Sequence, residues 1–245
     1  MTNRPSARDD RAPQERPDSR ASSTDRGRLT WLLLAAVSYL LFIGLSVVVA
    51  QHVVVPFDQS WLDTAHGWTA LTPVWRLLSD SANYPLIAIG VGIVLWLLLH
   101  GERREAILVV VVLAAATAGS EAVKQLVGRD RPLGTDPTIP GVVYSYPSGH
   151  TLEAATIYGI IAILIWRGRW PRWMKVAIAV VFTVLVVLVG VARVALAEHY
   201  PTDVLAGLLA GIGDLAVFAG LTLGHREREQ TRPLPLRPHR EESAG

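Results

Sequence analysis

The stretch AILVVVVLAAATAGSEAVKQLV, residues 106–127, is preceded by Arg103 and Arg104 and followed by Gly128, Arg129, Asp130, Arg131 and Pro132. Twenty-two residues of mostly Val, Leu and Ala, wound as a helix rising about 1.5 Å per residue, cover the roughly 30 Å of a bilayer's hydrocarbon. Lys124 stands twenty residues beyond Arg104, about 30 Å along that helix, so its ammonium lies at the membrane surface opposite the arginine pair.

Outward from this stretch the same pattern recurs. Apolar runs at 31–50, 84–99, 151–166, 176–197 and 204–223 bring the expected number of spans to six. The chain has 245 residues, 51% hydrophobic and 18% charged, with a mean hydropathy of +0.34. Of its 44 charged side chains, 21 fall in residues 1–30 and 225–245, leaving 23 for the 194 residues between. That central density is roughly half that of an ordinary soluble domain, which argues against a soluble enzyme. The expected fold is therefore an all-α, six-span transmembrane helix bundle over 31–224, with disordered polar tails at 1–30 and 225–245. A cleaved secretory signal is not expected, because the first apolar run is long enough to span and no small-residue cleavage site follows it. The absence of cysteine excludes disulfides, thiolate metal sites and a thiol nucleophile. The basic clusters flank apolar runs and read as topology signals, so nucleic acid is not an expected partner; the bilayer is.

Orientation follows from the short connections. With both termini cytoplasmic, 18 Lys and Arg lie inside and five outside: Arg76, Lys124, Arg129, Arg131 and Arg193. Trp31, Trp96, Trp166, Trp170 and Trp173 then form an inner aromatic belt. Trp61, Trp68 and Trp75, spaced by seven, predict a helix lying along the outer interface.

The few outer cations accompany other reactive residues. The polar connection 128–147 ends in Tyr146-Pro147-Ser148-Gly149-His150 and runs into the fourth span. Pro and Ser there are helix-start signals, so free N–H groups and a positive dipole end face outward and can bind an anion. After the fifth span, Arg193 precedes His199 by six and Asp203 follows by four, with Pro201 suited to the first turn of the sixth helix. Any one of these has a plainer explanation as an interface anchor or cap. Their collection at three helix ends on one membrane face does not.

Lys124, six residues, Arg131-Pro132; then Pro147-Ser148-Gly149-His150; then Arg193, five residues, His199, three residues, Asp203: this order resembles the three signature motifs of the type-2 phosphatidic acid phosphatase family. The resemblance covers about 31–224 and departs where Ala192 replaces the family's usual serine before Arg193. It implies a membrane phosphatase of lipid phosphates, related in fold to vanadium haloperoxidases.

The chemistry agrees with that resemblance. A phosphate ester dianion admits a nucleophile only where fixed cations neutralise its oxygens, a task for Lys124, Arg131 and Arg193 with Ser148 and the Gly149 N–H as neutral donors. Neutral His199 attacks phosphorus, Asp203 holds its other nitrogen, and His150 protonates the leaving alkoxide and then activates water. The cations take the place of a metal, and no cofactor is expected. Glu121 is expected to hold Lys124, and Glu153 to orient His150. Asp214 is an intramembrane carboxylate with no sequence-assigned partner. Gly207, Gly211, Gly220 and Gly224 are expected to permit close helix packing. Both polyprenyl diphosphates and phosphatidic acid suit a site at the bilayer surface, facing outward from a cytoplasmic membrane. A non-catalytic lipid-phosphate binder or transporter is the alternative from another class, and an oxidising vanadate enzyme a remote third.

Overall fold

A computed structural model describes residues 17–51, 56–132 and 144–230. The regular elements among the described residues are all helices: α1 (Pro17–Ala50), α2 (Pro56–Ala65), a 3₁₀ segment (His66–Leu71), α3 (Thr72–Ser81), α4 (Tyr84–Leu99), α5 (Arg103–Val127), α6 (Gly149–Arg167), α7 (Arg172–Ala195) and α8 (Pro201–Gln230). Six stretches are long and apolar enough to cross a membrane, α3 and α4 together counting as one. The expected all-α, six-span architecture is the one observed.

α6 and α8 form the centre, and α1, α5 and α7 pack around them. Outward faces are apolar: Leu40, Leu41 and Ile43 on α1, Ile107 and Val111 on α5, and Val180, Val184 and Val187 on α7 are exposed. In hydrocarbon such a face has nothing to hide from, so association of the helices rests on close packing. α8 supplies it with glycine. A Cβ on Gly207 would collide with the Ser148 carbonyl oxygen, and one on Gly211 would lie 2.7 Å from Ala155 Cβ. Any larger residue at either position would push α8 away from α6. Gly220 faces Trp31 and Leu32 of α1, and the surroundings of Gly224 lie outside the described side chains.

Several boundaries differ from expectation. The tail expected over 1–30 gives way to helix at Pro17, and the tail expected from 225 begins with helix through Gln230. Hydropathy ends where the apolar residues end, whereas a nucleated helix propagates cheaply into polar residues that tolerate it. Residues 1–16 and 231–245 lie outside the described residues, as do 133–143 of the polar connection. The helix expected to carry Trp61, Trp68 and Trp75 is not continuous. The three indoles still meet, at centroid separations of 6.5 and 5.9 Å, but on α2, the 3₁₀ segment and α3 in turn, with Trp68 at φ −97°, ψ 16°.

The second span is also broken, between α3 and α4 at Ala82 and Asn83, with Pro85 early in α4. Elsewhere the ends fall where expected, at the close of the apolar run 106–127 and at Pro201. α5 ends on Gly128 in the left-handed region at φ 61°, its N–H on the Lys124 carbonyl. α8 opens on Pro201.

Candidate active site

The end of α5 and the starts of α6 and α8 meet the end of α7 at one end of the bundle. The Ser148 N–H donates to the Asp203 carbonyl at 3.0 Å, which pins the start of α6 to the start of α8. Lys124, in the last turn of α5, has its Nζ 3.8 Å from where a Cβ on Gly149 would stand. Glu121 accepts from it at 2.5 Å, the partner expected one turn back. Because the first-turn N–H groups of α6 have no intrahelical acceptor, an ammonium and a positive helix end adjoin.

The loop from α7 to α8 folds Arg193 and His199 together. Ala197 takes left-handed backbone at φ 51°, and the Glu198 and His199 N–H groups both donate to the Arg193 carbonyl, at 3.0 and 3.2 Å. Arg193 is 4% exposed. One of its terminal nitrogens donates to Ser79 Oγ at 2.6 Å, and its other forms an ion pair with Glu198. Arg131 reaches the same residue, donating to the Glu198 carbonyl at 3.2 Å with its carboxylate at 3.7 Å. The Nε–H groups of Arg131 and Arg193 are buried and have no partner among the described residues. Buried charged donors are seldom left so, and an anion between the two guanidinia would satisfy them.

His199 is 2% exposed. Burial pushes its imidazole down to about 4; the carboxylate of Asp203 partly offsets this, and the positive charges of Arg193 and Arg131 reinforce it. It is therefore a neutral imidazole at physiological pH. Its Nδ1 stands 3.6 Å from Asp203 Oδ2, longer than a hydrogen bond, and is unpartnered. Asp203 was expected to hold that nitrogen directly. Its hydrogen bonds run elsewhere: Oδ1 accepts from Arg129 at 2.7 Å and Oδ2 from the Tyr200 N–H at 2.9 Å.

His150 lies within electrostatic reach of Arg193, His199, Lys124 and Arg131. Its Nε2 is 2.7 Å from Asn83 Oδ1, so the break between α3 and α4 provides the contact expected from Glu153. Glu153 instead faces α5, hydrogen-bonded to Thr117. It borders an apolar cavity of about 680 Å³ between α4, α5 and α6 that also touches Gly90, Val94, Leu113 and Ile157. The Ser148 hydroxyl, fully buried, is 3.0 Å from Thr151 Oγ1. Ala192 is fully buried, and the hydroxyl at Arg193 comes from Ser79.

Sequence reasoning missed Asn83, Ser79, Glu198, Arg129 and Asp58. Arg129 is the most connected of them. Besides Asp203 it donates to Thr202 Oγ1 at 2.7 Å and Asp58 Oδ2 at 2.8 Å, and its guanidinium lies over the Tyr200 ring, 3.8 Å from the centroid. Burial opposes its charge, but Asp203 and Asp58 outweigh that and hold it above the ordinary arginine value. Arg131 shows the opposite balance, burial lowering it despite Glu198 and Asp203. The only signal for Arg129 was its place among five outer cations. No cluster of three or more His, Cys, Asp or Glu suited to a metal occurs among the described residues.

Known proteins resemble this chain in sequence and in fold. A family model described as the PAP2 superfamily matches residues 105–224. A phosphatidylglycerophosphatase B of Bacillus subtilis is 28% identical over 186 residues, 75% of this chain and 87% of that protein. A putative undecaprenyl-diphosphatase of Escherichia coli is 32% identical over 149 residues, 58% of this chain and 69% of the relative. The crystal structure of a transmembrane PAP2 type phosphatidylglycerolphosphate phosphatase from Bacillus subtilis superposes with a TM-score of 0.63 at 22% identity, over 81% of this chain and 98% of that one. That likeness establishes the fold.

Proposed function

This chain belongs to the PAP2 superfamily, and on that footing we propose that it hydrolyses lipid phosphates or diphosphates through a phosphohistidine on His199, without a metal, at the extracytoplasmic face of the cytoplasmic membrane. The relatives are named as phosphatases, and the multi-pass bundle delivers its polar end to the headgroup region. One observation carries the reading. A buried neutral imidazole, His199, sits beside two guanidinia whose Nε–H groups lack partners.

In this mechanism Arg131, Arg193 and Lys124 surround the phosphoryl oxygens, with the Gly149 N–H and Ser148 as further donors. His199 attacks the terminal phosphorus in line, its P–O bond to the leaving group breaks (the lipid alkoxide of a phosphate, the lipid monophosphate of a diphosphate), and His150 supplies the proton to that oxygen. His150 then takes a proton from water, which attacks the phosphohistidine and releases inorganic phosphate, as microscopic reversibility requires. Asp203 stabilises the charge that develops on His199, and a shortening of the 3.6 Å gap accompanies that charge. The catalytic unit is residues 31–224, with both termini cytoplasmic. The names of the relatives, one a phosphatidylglycerophosphatase and others undecaprenyl-diphosphatases, support a glycerolipid phosphate or a polyprenyl diphosphate as substrate.

The test is turnover by purified protein of phosphatidic acid, phosphatidylglycerophosphate and undecaprenyl diphosphate with excess EDTA present. Phosphate release that survives EDTA and is inhibited by vanadate, a mimic of the trigonal-bipyramidal transition state, is the expected result. Tight binding without turnover would favour the binder or transporter reading, and loss with EDTA restored by magnesium would remove the metal-free mechanism. The face is tested separately on this cysteine-free chain. An impermeant thiol reagent on intact cells should label Gln59→Cys, in α2, and spare Arg169→Cys, between α6 and α7; the reverse pattern would invert the topology.

A further inference from the structure

α2 lies outside the residues matched by the family model, yet one of its side chains reaches into the site. Asp58 is 3% exposed. Its Oδ1 accepts the Thr202 N–H at 3.0 Å, and its Oδ2 accepts from the Thr202 hydroxyl at 2.7 Å and from Arg129 at 2.8 Å. Thr202 is the second residue of α8, so a carboxylate from α2 caps the helix that begins beside His199, where an anion is favoured by the free N–H groups and the helix dipole.

Arg129 completes the arrangement. One of its nitrogens donates to both Thr202 Oγ1 and Asp203 Oδ1, and the other to Asp58. The guanidinium is thus a fork between two buried carboxylates, only one of which faces His199. With Oδ1 of Asp203 held by Arg129, Oδ2 meets the Tyr200 N–H and turns toward His199 Nδ1. A lysine could supply the charge but not this planar two-sided contact.

We infer that Arg129 and Asp58 are positioning residues for the reaction, a buried relay from α2 that fixes the orientation of Asp203 and through it the imidazole of His199. Neither touches phosphate. Their effect falls on the rate at which His199 attacks and not on how well the cations hold the substrate. This inference rests on the His199 mechanism proposed above.

Asp58→Asn, Arg129→Lys and Thr202→Val are compared with wild type in the full-length chain, using dioctanoyl phosphatidic acid and farnesyl diphosphate as substrates. Thr202→Val keeps the volume and the backbone N–H and removes only the bridging hydroxyl, so it reports even where a charge substitution fails to fold. Expected for Asp58→Asn and Arg129→Lys is a fall in kcat of about 10²-fold, the scale of a small misplacement of a reacting group, with about tenfold for Thr202→Val. KM should stay within about threefold, because the interaction lost is made in the transition state. Rapid quench with ³²P-labelled phosphatidic acid should show base-stable phosphoenzyme forming more slowly by the same factor as kcat. Wild-type kcat in Thr202→Val together with either charge variant, a loss confined to KM, or an unaltered rate of phosphoenzyme formation overturns the positioning role while the His199 mechanism stands. Wild-type protein that turns over neither substrate, or forms no phosphohistidine, overturns both.

Discussion

Asp203 and Asp214 lie on the same helix, eleven residues or about 16 Å apart, and both are buried. Asp203, at the start of α8, is surrounded by donors: the Arg129 guanidinium, the Tyr200 N–H and, farther off, the His199 ring. Asp214 sits deep in the bundle. It accepts the Tyr39 hydroxyl of α1 at 2.5 Å on one oxygen, and its other oxygen has no partner among the described residues. One carboxylate thus belongs to a charge network at one end of the bundle, and the other to a hydroxyl contact that ties α8 to α1. A helix end supplies N–H groups, dipole and room for a counter-ion, all of which a bundle interior withholds. The same side chain therefore stands among charged partners at one position and between packed helices at the other, and in the mechanism proposed above only the first shapes the reaction.

The largest effect that would break this comparison is on turnover. His199→Ala should abolish phosphate release with membrane insertion intact. Asp203→Asn should lower kcat by about 10⁴-fold, the scale seen when a carboxylate that fixes a catalytic imidazole becomes an amide. Asp214→Asn keeps an acceptor for Tyr39 and is remote from the reacting groups, so its kcat should stay within about threefold of wild type. Measured side by side on one lipid phosphate, a collapse in Asp214→Asn would show that the deep carboxylate takes part in the chemistry and that the contrast is false.

The contrast also explains what could be read in the sequence. In apolar spans a charge is rare and costly, so Lys124, Arg193 and Asp214 announce themselves, and the spacing of Arg193, His199 and Asp203 reads as one helix end meeting the next. Six spans were legible for the same reason. The partners were not. Asn83 emerges only because α3 and α4 break there, Ser79 because α3 packs against α7, and Asp58 because α2 folds back on α8. Each is an ordinary polar residue in a polar stretch, and nothing in local periodicity says which will be buried. The Tyr39 contact is likewise a packing outcome, set by where Gly213 lets α1 approach α8.

A second effect is spectroscopic. His199 is pushed to about 4, below the ordinary histidine value of about 6.5. Between those values the unfolded chain binds the proton that the native site refuses, so the contribution of His199 to stability is complete above about pH 6.5 and is lost as pH falls toward 4. Imidazole ¹³C resonances of detergent-solubilised protein should show His199 titrating near 4. Asp203→Asn should move that midpoint lower, since the carboxylate partly offsets burial, while Asp214→Asn should leave it in place. A wild-type midpoint near 6.5 would mean the imidazole is far better hydrated than its 2% exposure indicates.

The smallest effect concerns a third acid, Glu198, which is unlike either aspartate. Its carboxylate is 38% exposed and pairs with both Arg193 and Arg131, the two guanidinia that also have unpartnered Nε–H groups. It therefore stands where an anion would, held by contacts that solvent weakens. A phosphate dianion offers those arginines more charge and more acceptor oxygens than a carboxylate does, so substrate should displace Glu198 toward solvent. Partly exposed pairs contribute little, about 0.2–1 kcal/mol. Glu198→Gln should accordingly lower KM by a few fold at most, with kcat nearly unchanged, and tighten inhibition by inorganic phosphate by the same factor. If KM instead rises, Glu198 holds Arg131 and Arg193 in their working geometry, and the carboxylate belongs with Asp203 as a support and not with the substrate as its rival.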